Sequence, residues 1–234
     1  MYQDNKEFKI NIDESAKVWK YMDFTKFVSL LEKKALFFVK ADKLLDPYEG
    51  YYSLANVNTD PSLVSRYELL QTFRGEVGVN CWHVNEHESA AMWKLYLKSD
   101  EGISIQSNFK KLKECFHCCQ RIVYIGEINY VDYDTFEIPQ DPYAFFMHKR
   151  RCFYHENEIR ALISDVAEAD TVSEKEVFDE IGAYIPVDLG ILIENVFVSP
   201  TSPKWFLDLV RSISKKYELD KEIVKSSLFD KPMY

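Results

Sequence analysis

The 234 residues predict an α+β fold, a single domain over residues 1–234 with a mixed or mainly antiparallel sheet flanked by helices. Three observations carry this reading. Segments with helical apolar spacing are interleaved with short β-branched or aromatic runs. Several of those runs have only short connections between them, which favours a mixed or antiparallel sheet. Hydrophobic residues make up 47%, with 16 Phe, 15 Tyr and 4 Trp, enough ring area for a substantial core.

Taken in order, residues 16–22 (AKVWKYM) read as a strand. Asp23 then caps a helix to about residue 33, with Phe24, Phe27, Val28 and Leu31 at helical spacing. Residues 35–41 (ALFFVKA) form a buried strand and 44–52 a turn. Asp60-Pro61 is a cap followed by an N1 proline, with Leu63, Tyr67 and Leu70 on one helix face. Residues 77–84 (VGVNCWHV) are a strand. Asn85 opens the next helix with Glu88 three residues on, as in a capping box, and Ala91, Trp93, Leu95 and Tyr96 continue it. Residues 102–106 are a strand, Ser107 caps the helix SNFKKLKECF, and 121–131 are again strand-like. Asp141-Pro142 repeats the cap-and-proline start and leads into YAFFMHKRR as a helix. Residues 156–163 (ENEIRALI) and 194–200 (ENVFVSP) are strands. Ser202-Pro203 begins a last helix with Trp205, Phe206, Leu209, Val210 and Ile213 as its apolar stripe. Residues 164–182 hold seven acidic residues and one lysine, which reads as a solvated loop or exposed helix.

Lys+Arg is 29 and Asp+Glu is 38, a formal charge of −9. A net-acidic domain lacks the global attraction to phosphate backbones, which disfavours nucleic acid as a partner but leaves room for a local basic patch. The first ten residues have no apolar h-region, and no apolar run approaches the roughly 20 residues that span a bilayer. The expectation is a cytoplasmic protein with no membrane partner, whose five cysteines stay reduced. The sequence contains no G-x-x-x-x-G-K, G-x-G-x-x-G, H-E-x-x-H or G-x-S-x-G. P-loop NTPase, dinucleotide-binding Rossmann domain, zincin metalloprotease and α/β-hydrolase are therefore disfavoured.

The main polar constellation is Glu156-Asn157-Glu158-Ile159-Arg160-Ala161. Alternate side chains of a strand share a face, so Glu156, Glu158 and Arg160 point one way while Ile159 and Ala161 point into the core. The two carboxylates would stand about 7 Å apart, and the guanidinium would keep Glu158 ionised. An ionised, oriented carboxylate can hold a ribose hydroxyl, accept a proton or bind a metal. The plain alternative is a solvated sheet face with a weak ion pair. In Asp46-Pro47-Tyr48-Glu49-Gly50 the proline presets a turn that Asp46 bonds, which leaves Glu49 as the freer carboxylate. Trp93 and Tyr96, three apart on a helix, share a face, as core or as a stacking platform. His148, Lys149, Arg150 and Arg151 spread round a helix end, where one or two bind phosphate or all simply suit the helix dipole. Cys115, Cys118 and Cys119, with Cys81 and His83, make an incomplete zinc pattern without a second paired set, so a metal is not expected.

Several of these pieces resemble a bacterial and phage family catalogued as domain of unknown function 2971. They are Trp19-Lys20-Tyr21, Ala35-Leu36-Phe37-Phe38, Leu45-Asp46-Pro47-Tyr48-Glu49, Cys81-Trp82, Met92-Trp93-Lys94-Leu95-Tyr96 and Gly102-Ile103-Ser104-Ile105. The most specific is Lys-x-x-x-Trp-x-x-Glu-x-Glu-x-Arg, matched by Lys149, Glu156, Glu158 and Arg160. The chain departs from the pattern at Leu45, usually Asn, and at Phe153, usually Trp. The resemblance spans roughly residues 18 to 215. It implies a self-contained domain and strengthens the Glu-x-Glu-x-Arg segment as a site, without bringing a reaction.

The layout is similar to that of ADP-ribosyltransferases, which use NAD as substrate. Those enzymes place a basic residue on an early strand, a ring that stacks on nicotinamide, and a late-strand glutamate that binds the ribose. The expected catalytic set is Glu158, Glu156 and Arg160, with Lys20, Tyr21, Tyr48, Trp93, Tyr96 and Lys149 holding the NAD. Lys20 stands where arginine or histidine is usual, and a clean Ser-Thr-Ser strand is missing. Two alternatives stand beside it. One is a non-catalytic sensor or toxin-like module of a phage-defence operon that meets a protein partner encoded by a neighbouring gene. The other is a nuclease with Mg²⁺ on Asp46, Glu49, Glu156 and Glu158 and with Lys149 near the phosphate.

Overall fold

The computed structural model describes residues 1–96, 99–165 and 178–232. The fold is α+β, and the strand pairing is mixed but mainly antiparallel. In chain order the elements are β1 (Tyr2–Gln3), β2 (Lys17–Asp23), α1 (Phe24–Lys33), β3 (Ala35–Lys40), α2 (Leu54–Thr59), α3 (Tyr67–Arg74), β4 (Val77–Val84), α4 (Ala90–Tyr96), β5 (Gly102–Asn108), α5 (Phe109–Glu114), β6 (Val123–Glu127), β7 (Asn129–Val131), β8 (His148–Arg150), β9 (Glu158–Ser164), β10 (Gly182–Pro186), α6 (Leu189–Leu192), β11 (Asn195–Val198), α7 (Lys204–Lys216) and β12 (Glu222–Lys225). The residues gather into two compact units. The first comprises Met1–Asn11, Phe37–Cys81 and Cys119–Ile185, and the second Ile12–Leu36, Trp82–Cys118 and Pro186–Tyr234. Each unit is discontinuous in sequence, so no linker composition marks a boundary.

In the first unit β9 pairs antiparallel with β6, with Gly126 opposite Arg160 and Ile125 opposite Ala161. β4 lies on the other edge of β9. β1 extends β6 in parallel, and β3 pairs antiparallel with β4. The core gathers Phe145, Phe146 and Met147 with Val77, Val79 and Leu162. These rings roof the face of β9 that carries Arg160, whose guanidinium reaches the Phe146 carbonyl. All seven residues of β9 are therefore buried, which sets aside the plain alternative of a solvated face.

In the second unit β2 pairs along its length with β5 and, through Val18 and Trp19, with β4. β5 pairs antiparallel with β11, which takes β12 in parallel. Trp19, Tyr21, Met92 and Trp93 pack together as a core cluster. α1 starts where Asp23 accepts a bond from the Lys26 N–H at 2.8 Å, as the sequence predicts.

Several starts and ends differ from expectation. Ser89, not Asn85, caps α4: the Met92 N–H meets its hydroxyl and the Trp93 N–H its carbonyl. Asn108 rather than Ser107 caps α5. Asp60-Pro61 opens a 3-10 turn before α3, and Tyr67 faces solvent while Leu63 and Leu70 are buried. On the last helix Phe206 and Val210 are buried, while Trp205 and Leu209 are exposed. Asp141 caps only a short turn, through the Tyr143 and Ala144 N–H groups. The chain then becomes strand β8, which replaces the helix expected over YAFFMHKRR. Of the acidic stretch 164–182, residues 166–177 lie outside the described residues. Among the described residues no helix is long and apolar enough to cross a membrane.

Candidate functional site

The predicted acid–base cluster forms within the first unit. In β8 successive side chains point to opposite faces, so Lys149 and Arg150 diverge rather than fan round a helix. After β8 a 3-10 turn (Arg151–Glu156) leads to Asn157 in the left-handed region, φ 36°, a conformation asparagine tolerates better than most residues. β9 begins only at Glu158. Glu156 is thus not a strand residue, yet the turn returns its carboxylate to Lys149.

Arg160 is the centre of the network. Its Nε donates to Glu158 Oε1 at 2.6 Å and one terminal nitrogen to Glu158 Oε2 at 3.1 Å. The other terminal nitrogen donates to Glu49 Oε2 at 2.6 Å and to the Phe146 carbonyl at 2.8 Å. Lys149 Nζ stands 2.5 Å from Glu156 Oε2, 3.4 Å from Glu49 Oε1 and 3.7 Å from Glu158 Oε2. It also lies 4.7 Å from the centre of the Phe153 ring. The Glu158 N–H is received by the Tyr130 hydroxyl at 3.0 Å, and the Cys81 side chain hydrogen-bonds the Glu158 carboxylate. Three carboxylates thus face two cations, an excess of one negative charge. Glu49 was expected to be the freer carboxylate. It is instead buried and paired to both cations, because the turn it ends is capped by the aromatic roof.

Burial sorts the members. Side-chain exposure is 1% for Arg160, 2% for Glu49 and 5% for Glu158, but 17% for Glu156. Burial alone would raise the pKa of Glu158, but Arg160, Lys149 and the Cys81 bond outweigh it and hold the carboxyl at about 2. For Glu156 burial wins over the bond to Lys149, and its pKa is raised. Burial works against the charge of Lys149, but Glu158 and Glu49 overcome it and raise its pKa.

Beside this network Asp46 does what its turn predicts, accepting the Tyr48 N–H at 3.1 Å. It also pairs with Arg150 at 2.8 Å, and that guanidinium lies 4.2 Å from the centre of the Tyr48 ring. His148 is buried and bonded to the Ala144 carbonyl; burial lowers its pKa. Neither Lys149 nor Arg150 is the free phosphate-binding cation of a helix end that the sequence allowed.

Lys20, Tyr21, Trp93 and Tyr96 belong to the second unit. Lys20 Nζ lies 5.5 Å from the Trp82 ring centre. The buried Tyr21 hydroxyl accepts the Ser89 N–H at 2.8 Å, and burial raises its pKa to about 12. Its ring meets Trp93 edge-on at 5.0 Å. Trp93 donates to Glu88 at 3.0 Å and is 2% exposed, so it is core and not an open platform. Tyr96, three residues on in α4, is exposed, so the pair forms neither a shared core contact nor a joint stacking platform. Cys115 and Cys119 are buried thiols and Cys118 is exposed. Among the described residues no group of three or more Cys, His, Asp or Glu converges as a metal site.

The reading from sequence missed Cys81, Tyr130 and the Asp46–Arg150 pair. Each is a long-range contact with no local pattern to announce it. No family model matches the chain, and no curated relative matches it. Among solved structures, Thermus sp. 2.9 DarT in complex with carba-NAD⁺ is similar at TM-score 0.39 and 7% identity, over 92% of this chain and 96% of that chain. Thermus sp. 2.9 DarT in complex with NAD⁺ is similar at TM-score 0.36 and 9% identity, with the same coverages. Likeness at that level places no residue of this chain against one of DarT.

Proposed function

We propose that the chain is an NAD-using transferase of the ADP-ribosyl type, with Glu156 as the carboxylate that meets the substrate. The observation that carries this is the graded burial of the cluster. Glu49, Glu158 and Arg160 are closed on one another, while Glu156 sits at the solvent edge on Lys149. Transfer from NAD breaks the bond between ribose C1 and the nicotinamide nitrogen, and the electron pair leaves with the ring. The acceptor then forms a bond to C1 and gives up its proton. A fixed negative charge beside the ribose stabilises the oxocarbenium-like transition state. The excess negative charge of the network supplies that field, and Glu156, its pKa raised by burial, is suited to receive the acceptor's proton. Glu158 and Arg160 are then positioning residues rather than groups that touch substrate. Tyr154, exposed and edge-on to Tyr130 at 5.4 Å, offers a ring close in sequence to Glu156.

NAD is expected to raise the melting temperature and the Glu156→Gln variant to keep that shift. No shift with NAD at millimolar concentration would remove the proposal. A second reading is favoured by the full pairing of Glu49, Glu158 and Arg160. Those side chains would then be purely architectural and the chain a non-catalytic partner module, which predicts indifference to NAD. The Mg²⁺ nuclease reading is weaker, because Lys149 and Arg160 nitrogens already occupy the Glu49, Glu156 and Glu158 oxygens that a cation would need.

A further inference from the structure

Outside the ion network, the first unit carries an aromatic stack that no step above uses. The rings of Tyr51 and Tyr67 lie parallel, 6° apart, with centroids 4.8 Å apart. The Arg74 guanidinium lies over the Tyr51 ring at 4.6 Å, with a terminal nitrogen donating to the Ala41 carbonyl at 3.2 Å. Arg74 is 8% exposed, and its Nε has no hydrogen-bond partner among the described residues. Gly50 holds this base together. Its φ is 83°, and a Cβ there would stand 2.8 Å from both Arg74 and Phe146, so only glycine admits the approach. Tyr67 itself is 54% exposed, and Val64, three residues before it, is 61% exposed. Ring pairs among the described residues meet mostly tilted or edge-on, whereas this parallel pair turns one ring towards water.

We propose that Tyr67 is the outer plate of a stacking site for the purine base of a nucleotide. A cation–π contact on the Tyr51 ring of a stacked pair gives an ordered flat surface, and a flat ring that is already ordered binds another with little loss of freedom. The net charge of −9 favours a small nucleotide over a polynucleotide. The site lies beside the ion network along the chain, since Glu49 pairs with Arg160 and Tyr51 follows two residues later. The inference rests on the nucleotide-using reading of that network for its choice of base, but not on any reaction there.

The test is AMP binding, measured by calorimetry on the whole chain. The wild type is expected to bind AMP saturably, Tyr67→Ala to bind about tenfold more weakly, and Tyr67→Trp to bind at least as well as wild type. All three should melt within a few degrees of one another, because Tyr67 is exposed. Equal AMP affinity in wild type and Tyr67→Ala, or no AMP binding by the wild type, would overturn the site. The two proposals fail separately. AMP binding that depends on Tyr67 without any nicotinamide release keeps the plate and removes the transferase. Nicotinamide release whose KM is the same in Tyr67→Ala keeps the transferase and removes the plate.

Discussion

The two units bury polar groups in opposite ways. In the first, Glu49, Glu158, Lys149 and Arg160 are buried as charges that pair with one another, with Glu156 completing the network at Lys149. In the second, Tyr21 and Trp93 bury a hydroxyl and an indole N–H, bonded to the Ser89 N–H and to Glu88, inside a cluster held by ring packing. Removing one member has different consequences. Losing a neutral donor or acceptor forfeits one hydrogen bond, whereas breaking a charged network leaves ions unpaired in a buried site, which is far more costly.

The largest expected effect is therefore Arg160→Met, which leaves Glu49 and Glu158 facing each other without their shared cation. It should cost about 3–5 kcal/mol in urea unfolding. Glu158→Gln should cost less, about 1.5–3 kcal/mol, the worth of a hydrogen bond to a charged group. Trp93→Phe, which forfeits the bond to Glu88 and some packing, should cost about 1–2 kcal/mol. A second-unit change that costs as much as Arg160→Met would erase the contrast.

The contrast also has a pH signature. Glu158 is held at about 2 in the folded chain against about 4.3 unfolded. Its stabilisation is complete above that ordinary value and is lost as pH falls towards 2. Tyr21, raised to about 12 from about 10, stabilises fully below its ordinary value and loses this as pH rises through 12. Unfolding followed against pH should show Arg160→Met flattening the acid limb and Tyr21→Phe flattening the alkaline limb. Glu156 has the opposite sign to Glu158. Its raised pKa makes its ionised form a burden, so Glu156→Gln should leave stability at neutral pH within about 0.5 kcal/mol of wild type. The smallest effect is expected for the exposed Tyr96→Ala, within the same limit.

The strands β2, β3, β4 and β5 were legible because dense apolar and aromatic runs between turn residues have few other solutions. Asp23 and Asp60 announced their caps because capping is local chemistry. The region 141–157 was not legible. Its Asp-Pro start and its aromatics fit a helix, and only the long-range pairing of β8 with β7 decides for a strand. The site was legible in membership but not in form. Spacing brought Glu156, Glu158, Arg160 and Lys149 together on the page. Nothing local revealed that Glu49 would complete the set from 111 positions away, or that rings from residues 145–147 would exclude water from it. For Trp93 and Tyr96, three-residue spacing gave neighbouring positions on α4 but not how far the core reaches across that face: Trp93 is buried and Tyr96 exposed.

Nicotinamide release from NAD, followed by chromatography, gives the most direct test of Glu156 as the reacting carboxylate above an inert ionic frame. Wild type should release nicotinamide, and Glu156→Gln should release about a hundredfold less or lower still while melting at the wild-type temperature. Release by Glu156→Gln at the wild-type rate, or none from the wild type, would contradict it.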